Sequence, residues 1–244
     1  MQKDKNNWYT SWFDTPYYHI LYKERDETEA AYFMNRLMQF LKLTKGSEIL
    51  DLACGKGRHA QYLNTLGYDV TGVDLSSESI AFAKQFENET LRFKEHDMCL
   101  PFPKKFDAVV NLFTSFGYFE KEEDNLRTIK AIKEEIKPNG FGVIDFLNVE
   151  FVKQHIVPSE IKVVDGISFH INRKIEDGYI IKGIKFSHNN NDFLFEERVK
   201  AISLEDFQTY FDKAGITLKH CFGDYNLQSY SKNTSERLIL IFSI

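Results

Sequence analysis

The sequence predicts an α/β fold: a doubly wound, mostly parallel seven-stranded sheet with an antiparallel edge hairpin, plus a small inserted antiparallel β lobe. Strand-like and helix-like stretches alternate from residue 48 to residue 147, and parallel neighbours need such helical crossovers. The stretch "FDAVVNLFT" is continuously apolar, as expected for a strand covered on both faces. From residue 161 to residue 201 short alternating runs replace this pattern, which is typical of an antiparallel meander.

The first half of the chain predicts a helical preface followed by strand–helix units. Residues 1–25 are rich in aromatic side chains, and an amphipathic helix is expected from about Glu27 to the "TKGS" turn. "EILDLA" is the first buried strand, and Gly67 ends the helix that follows it. "YDVTGVD" is a second strand, after which Ser77 can cap a helix. "LRFKEHD" and "FDAVVNLFT" are the third and fourth strands.

The second half predicts the fifth strand, the inserted lobe and the closing hairpin. A helix is expected to be broken by "KPNG", ahead of a fifth strand at "FGVIDFL". "EDGY" and "HNNND" supply turns in the lobe, and Ser203 with Asp206 forms a capping box. "GITLKHCF" and "RLILIFSI" can pair as an edge hairpin. The predicted division is residues 1–149 with 202–244, a main domain with an N-terminal helical lid, and residues 150–201, the inserted lobe.

Composition narrows the function classes. The 244 residues are 43% apolar and 15% aromatic, enough to fill a core, which excludes a disordered chain. A formal net charge of -5 argues against a nucleic-acid partner. Cys54, Cys99 and Cys221 have neither metal nor disulfide spacing, so we expect no metal site and a cytoplasmic location. Neither a secretory signal nor a membrane span is expected, because no apolar run is suitably placed or long enough.

The stretch Leu50 to Ala60, "LDLACGKGRHA", carries a glycine pair after a strand. Such a pair lets the backbone approach a ligand closely and directs helix amides at it. Two ligands use loops of this kind, a nicotinamide dinucleotide and S-adenosylmethionine. Asp51 favours the second, because its charge would repel a pyrophosphate and attract an ammonium or sulfonium. The alternative for Asp51 is that it only accepts backbone amides of the loop.

Three further acidic or apolar positions follow the second and third strands. Asp74 ends the second strand, where a carboxylate can bind both ribose hydroxyls of either ligand. Asp97 and Met98 end the third strand, where a carboxylate and a backbone amide can meet an adenine ring, although Asp97 alone is also a common turn residue. Because ligands of open α/β sheets bind at the carboxyl ends of the strands, the combination with Asp51 is more specific than any single position.

Together these stretches resemble the class I S-adenosylmethionine-dependent methyltransferases, of the small single-domain prokaryotic type with an inserted antiparallel lobe. "LDLACGKG", "GVDLS", "HDM", "FDAVVNLFTSFGYF" and "IKPNGFGVIDF" are similar to successive motifs of that family. "YYHILYKER" resembles an amino-terminal element that folds over the cofactor, with His19 standing where an aspartate is usual. The resemblance implies cofactor contacts at Tyr22, Arg25, Asp51, Ala53, Gly55, Gly57, Asp74, Leu75, Asp97, Met98 and Asn111.

The resemblance implies direct in-line methyl transfer from S-adenosylmethionine to a nitrogen or oxygen of a small-molecule acceptor. Positioning and exclusion of water carry most of this chemistry, and no catalytic base is assigned. Tyr118 and His155 are candidate acceptor-side residues, and the lobe is expected to close over the acceptor. "NLFTSF" lacks the turns that relatives use on nucleobases, which also favours a small molecule. The alternatives are a non-catalytic S-adenosylmethionine-binding module and an NAD(P)-dependent oxidoreductase.

Overall fold

The computed structural model describes residues 12–13, 15–23, 27–119 and 121–244, which form two β-sheets and their covering helices. The strands are β1 (Glu48–Leu52), β2 (Asp69–Asp74), β3 (Leu91–Glu95), β4 (Phe106–Asn111), β5 (Ile136–Leu147), β6 (Ser159–Val164), β7 (Ile167–Glu176), β8 (Tyr179–His188), β9 (Asn191–Lys200), β10 (Thr217–Phe222) and β11 (Arg237–Ser243). The α-helices are α1 (Pro16–Leu21), α2 (Glu27–Leu41), α3 (Arg58–Thr65), α4 (Ser77–Ala83), α5 (Glu122–Glu135), α6 (Val149–His155) and α7 (Leu204–Ala214). No helix in these stretches is long and apolar enough to cross a membrane.

The larger sheet has seven strands in the order β10-β11-β5-β4-β1-β2-β3. Strands β1 to β5 pair in parallel, whereas β11 is antiparallel to both β5 and β10. The predicted mostly parallel sheet with an antiparallel edge hairpin is therefore confirmed. The strand order reverses between β1 and β4, and ligands of open α/β sheets bind at the carboxyl side of such a switch point.

Helices cover both faces of this sheet, which explains the continuous apolar runs of its central strands. The α5 and α7 helices pack on one face through residues that include Ile129, Ile132, Phe207 and Phe211. The α2, α3 and α4 helices pack on the other face through residues that include Phe33, Leu37, Leu63 and Ile80. With both faces buried, the strand ends are the places where polar side chains of the sheet can reach a ligand.

The smaller sheet is an antiparallel meander in the order β6-β7-β8-β9. Each of its three connections places two successive residues at positive φ, the geometry of tight hairpin turns whose twist matches the strands. These residues are Asp165 and Gly166, Asp177 and Gly178, and Asn189 and Asn190. The predicted turns at "EDGY" and "HNNND" are observed, and the meander begins at β6, slightly before residue 161.

Three local features differ from the expectations. The "KPNG" stretch lies within β5 as an irregularity, because the register with β4 jumps from Phe106↔Ile136 to Ala108↔Phe141. The α4 helix is capped by the Ser76 hydroxyl, which accepts from the Ser79 N–H at 3.0 Å, so Ser77 is the first helical residue. A short helix, α6, follows β5 and was not predicted. The capping box of Ser203 and Asp206 forms as expected.

The amino-terminal segment packs against the smaller sheet. Trp12 is fully buried and its ring lies 4.6 Å from that of Phe195 on β9. The carboxylate of Glu197, also on β9, accepts hydrogen bonds from Trp12 Nε1 at 2.7 Å and from the Tyr22 hydroxyl at 2.6 Å. The segment around α1 is therefore fastened to the inserted sheet by both apolar and polar contacts.

Two glycines of the β1–α3 loop give a matched test of packing. Gly55 and Gly57 both have positive φ, but a Cβ at Gly55 would meet open space whereas one at Gly57 would overlap the buried Phe93 ring. Gly57→Ala should lower the free energy of unfolding by about 1–3 kcal/mol more than Gly55→Ala, because the left-handed backbone penalty is shared and the overlap is not. Urea denaturation of the two variants measures the difference, and equal losses would contradict this account.

Candidate functional site

The loop between β1 and α3 turns in the left-handed region of backbone space. Ala53, Gly55 and Gly57 have φ angles of 60°, 54° and 79°. The turn is held by Cys54 N–H, which donates to the Val73 carbonyl at 2.9 Å, and by Gly57 N–H, which donates to the Cys54 carbonyl at 3.0 Å. The open space beside Gly55 is the cradle in which a ligand could approach the backbone. Gly57 instead allows α3 to pack closely on the sheet.

Two buried oxygen atoms beside this loop have no hydrogen-bond partner among the residues that the structure describes. Asp51, at the end of β1, is 2% exposed, and its Oδ2 atom is unpaired. Asn111, at the end of the neighbouring β4, is 1% exposed; its Nδ2 donates to the Leu52 carbonyl at 3.0 Å, but its Oδ1 is unpaired. Unsatisfied buried acceptors are rare and costly, so each calls for a donor. A ligand ammonium placed at this edge would supply one.

The electrostatics of Asp51 fit a cationic ligand. Burial first and the negative charge of nearby Asp74 second raise the pKa of Asp51, the backbone N–H of Ala60 opposes the shift, and the net result is a pKa of about 7. The ionised form is thus disfavoured in the free protein by desolvation and like charge. A cation would reverse this imbalance, whereas a pyrophosphate would worsen it.

Asp74 connects β2 to the same loop. Its Oδ2 accepts from Gly55 N–H at 2.8 Å and its Oδ1 from Ser76 N–H at 2.9 Å. The carboxylate thereby fixes the cradle as well as the start of α4. A carboxylate can accept more than two hydrogen bonds, and the ribose contact of Asp74 stays a prediction. Leu75, the next residue, is 45% exposed at the same edge.

The end of β3 forms a turn around Asp97. The Asp97 Oδ1 accepts from Cys99 N–H at 2.9 Å, and its carbonyl accepts from Leu100 N–H at 2.9 Å. Met98 is half-buried, with its sulfur 3.9 Å from Asn111 Nδ2. Hydrogen bonds and contacts therefore link the predicted residues of β1, β2, β3 and β4 at one edge of the sheet.

The remaining predicted residues that the structure describes have contacts of their own. The Tyr22 hydroxyl contacts Glu197 and Lys182 of the smaller sheet. Arg25 lies outside the described residues. Tyr118 is half-buried, with its ring 5.5 Å from that of Phe13. His155 is exposed in the last turn of α6, where Nδ1 lies 2.9 Å from the Phe151 carbonyl of its own helix.

The site also contains a buried ion pair that was not predicted. Asp145, near the end of β5, is fully buried, and its carboxylate accepts from Arg237 Nε at 2.9 Å and Nη2 at 2.7 Å. It also accepts from Phe113 N–H at 2.8 Å and from the Tyr225 hydroxyl at 3.3 Å. Burial, and then the charge of Asp145, raise the pKa of Tyr225, so this hydroxyl stays a donor. The sequence signal was a lone charge in each of two apolar strands, "FGVIDFL" and "RLILIFSI".

The loop after β4 meets this ion pair. Phe113 and Thr114 have φ angles of 57° and 63°, a conformation that costs about 1–2 kcal/mol per residue without glycine. The Thr114 hydroxyl accepts from Arg237 Nη2 at 3.0 Å, and the Phe113 ring stacks on His59 with centroids 4.3 Å apart. Strained backbone held by its surroundings is characteristic of functional edges.

Other features of the described residues do not compete with this site. No three His, Cys, Asp or Glu side chains within those ranges are grouped so that they could hold a metal ion. A cavity of about 340 Å³ lies at the opposite, amino edge of the sheet, between residues 41–47 and 138–141. That edge carries none of the predicted site residues.

The fold is shared with solved S-adenosylmethionine-dependent methyltransferases. The chain superposes on a S-adenosylmethionine-dependent methyltransferase from Clostridium acetobutylicum with a TM-score of 0.77, at 20% identity, over 93% of this chain and 96% of the other. Residues 49–140 match the family described as methyltransferase domain, and the solved structures that share this fold include ones described as S-adenosylmethionine-dependent methyltransferases.

Curated relatives match about half of this chain. The chain is 31% identical over 103 residues to dTDP-3-amino-3,4,6-trideoxy-alpha-D-glucopyranose N,N-dimethyltransferase of Streptomyces venezuelae, over 41% of this chain and 43% of the relative. It is 30% identical over 141 residues to glycine/sarcosine N-methyltransferase of Aphanothece halophytica, over 54% of this chain and 51% of the relative. The chain thus spans about half the length of these relatives.

We expect the raised pKa of Asp51 to make binding of S-adenosylhomocysteine depend on pH. Because that pKa is about 7 in the folded chain, affinity for S-adenosylhomocysteine, which keeps the ammonium, should rise by roughly an order of magnitude from pH 6 to pH 7.5 as Asp51 ionises. Calorimetry across this range measures the change, with Asp51→Asn as the control.

The control variant should bind with a flat profile over the same range. A wild-type profile equally flat would contradict the role of Asp51. Folding stability should change with pH in the opposite direction to cofactor affinity. The folded pKa of Asp51 lies above the ordinary value of 3.8, so protonated Asp51 contributes fully to stability below pH 3.8. That contribution is lost as pH rises through about 7.

Proposed function

We propose that this chain transfers a methyl group from S-adenosylmethionine to a small-molecule acceptor, with an amine nitrogen as the first candidate and a hydroxyl oxygen as the second. The observation that carries the proposal is the pair of unpaired buried oxygens, on Asp51 and Asn111, beside the open cradle at Gly55. Both of these atoms are acceptors without a donor among the described residues, which suits a ligand that brings its own ammonium.

Different residues at the carboxyl edge would bind different parts of the cofactor. Asp51 and Asn111 would accept from the ammonium, and the backbone of residues 53–57 would follow the methionyl chain. Asp74 would accept from the ribose, while Leu75, Asp97 and Met98 would bound the adenine; the family resemblance adds Tyr22 and Arg25. When bound, the cofactor supplies an electrophilic methyl carbon. The protein's part is then to align the acceptor and exclude water.

The same residues disfavour a dinucleotide. Asp51 is buried next to the loop and the charge of Asp74 already acts on it. A pyrophosphate on the α3 amino terminus would add negative charge to these two carboxylates. Binding of a dinucleotide would therefore be opposed by charge repulsion with Asp51 and Asp74, whereas binding of S-adenosylmethionine would not.

The acceptor would lie between the larger sheet and the inserted lobe of residues 150–201. The loop after β4 is joined to that lobe by Lys200 N–H, which donates to the Gly117 carbonyl at 2.8 Å. The amino-terminal segment is fastened to the lobe through Glu197. We propose that residues 1–149 and 202–244 hold the cofactor and that the lobe and this segment cover the acceptor. Both relatives described above are named for N-methylation of small molecules, which favours nitrogen.

The test is formation of S-adenosylhomocysteine and of a methylated product from a panel of glycine, sarcosine, nucleotide-linked amino sugars and simple phenols. We expect turnover with at least one amine. Binding of S-adenosylmethionine without turnover of any acceptor would support the non-catalytic binding module instead. Binding of NAD(P) in place of S-adenosylmethionine would support the oxidoreductase.

In the same assay Glu197→Ala tests whether the inserted lobe and the amino-terminal segment cover the acceptor. Loss of a charged hydrogen-bond acceptor should raise the acceptor KM by roughly tenfold or more, with S-adenosylhomocysteine binding unchanged. Glu135→Gln is the matched control, because Glu135 is a buried carboxyl that accepts from Phe102 N–H at 2.8 Å beside the amino edge. Equal acceptor KM values in Glu197→Ala and Glu135→Gln would refute the proposal that the lobe and the segment cover the acceptor.

A further inference from the structure

Asp145 joins three separate segments of the chain at the carboxyl edge. Its carboxylate binds Arg237 of β11, the Tyr225 hydroxyl of the β10–β11 connection and the N–H of Phe113 after β4. Its own carbonyl accepts a further bond from Thr114 N–H at 3.0 Å. One fully buried residue thus receives two successive backbone amides of the loop after β4.

Those two amides belong to the strained pair of the loop. Phe113 and Thr114 both have positive φ, and neither is glycine. Without their bonds to Asp145, an ordinary backbone conformation would be favoured at both positions. The loop shape is therefore imposed from β5, and the sequence of the loop itself does not favour it.

Arg237 completes the arrangement from the other side. Its Nε and Nη2 both bind one oxygen of Asp145, and Nη2 also donates to the Thr114 hydroxyl at 3.0 Å. The guanidinium carbon lies 5.5 Å from the centre of the Tyr225 ring. The guanidinium of Arg237 compensates for the burial of the Asp145 carboxylate, whose two oxygens together accept all of these side-chain and backbone bonds.

We propose that Asp145, paired with Arg237, is a positioning residue for methyl transfer, because it fixes residues 112–115 where the acceptor meets the cofactor. This inference rests on the proposed function, in which the loop after β4 faces the acceptor. Asp145 is not a catalytic residue; it acts through the backbone of Phe113 and Thr114. Alignment errors of about 1 Å can cost about a hundredfold in rate, so a relaxed loop would slow transfer without affecting cofactor contacts on β1 and β2.

Asp145→Asn keeps the shape of the side chain and removes its charge, and Glu135→Gln is the control for a buried carboxyl elsewhere. Hydrogen exchange by mass spectrometry should show residues 112–115 exchanging at least about tenfold faster in Asp145→Asn, and unchanged in Glu135→Gln. S-adenosylhomocysteine affinity should stay within about twofold of wild type. With the acceptor found in the panel, kcat should fall by about ten- to a hundredfold, and by more than KM rises.

Unchanged exchange of residues 112–115 would overturn the proposal, and so would a loss of S-adenosylhomocysteine affinity equal to the loss of kcat. If Asp145→Asn does not fold, Thr114→Val decides, since it removes only the Arg237 bond and should give a smaller change of the same kind. If no acceptor is turned over by the wild-type protein, the proposed function fails, while exchange and cofactor affinity still test the loop.

Discussion

The desolvated carboxylate of Asp51 is the constraint around which the candidate site is arranged. The fold buries this group almost completely, gives it no partner for one oxygen and places the charge of Asp74 nearby. Its pKa of about 7 reflects that unfavourable setting. A fold selected for stability alone would be better served by an apolar residue here. The unfavourable group is explained if a cationic ligand completes the site.

A second buried carboxyl shows why burial alone is insufficient evidence for a site. Burial raises the pKa of Glu135 to about 8, and one of its oxygens is also unpaired. Glu135, however, ends α5 and contacts the Phe102 backbone away from the switch point. Burial raises its pKa as it does that of Asp51, so a raised pKa alone does not mark a site. Asp51 differs because it stands beside an open cradle and a second orphaned acceptor, Asn111.

The strands and helices could be predicted from periodic patterns in the sequence. Bonds between side chains that are far apart in the sequence could not. The parallel sheet follows from alternating strand and helix patterns, and Asp51, Asp74 and Asp97 follow from their position at strand ends. The bond between Asp145 and Arg237 spans 92 residues, so no local pattern reveals it. Tyr22 was expected near the cofactor, yet its hydroxyl is bound by Glu197 of the inserted sheet. Its orientation depends on tertiary packing between segments 175 residues apart.

We propose that the carboxyl edge has a cofactor side and an acceptor side. The orphaned oxygens on β1 and β4 suit the cofactor, and the strained loop held by Asp145 lies on the side where an acceptor would approach. The two sides share β4, whose last residue is Asn111 and whose following loop contains Phe113 and Thr114. A change in one side can thus be separated from a change in the other by comparing binding with turnover.

The central claim is that Asp51 receives the ammonium of the cofactor. Calorimetry of S-adenosylhomocysteine and of its analogue without the α-amino group, on wild type and on Asp51→Asn, measures that contact as a double-mutant cycle. The account predicts that wild type prefers the amine-bearing compound by about tenfold or more and that Asp51→Asn loses most of this preference. An undiminished preference in Asp51→Asn would contradict it.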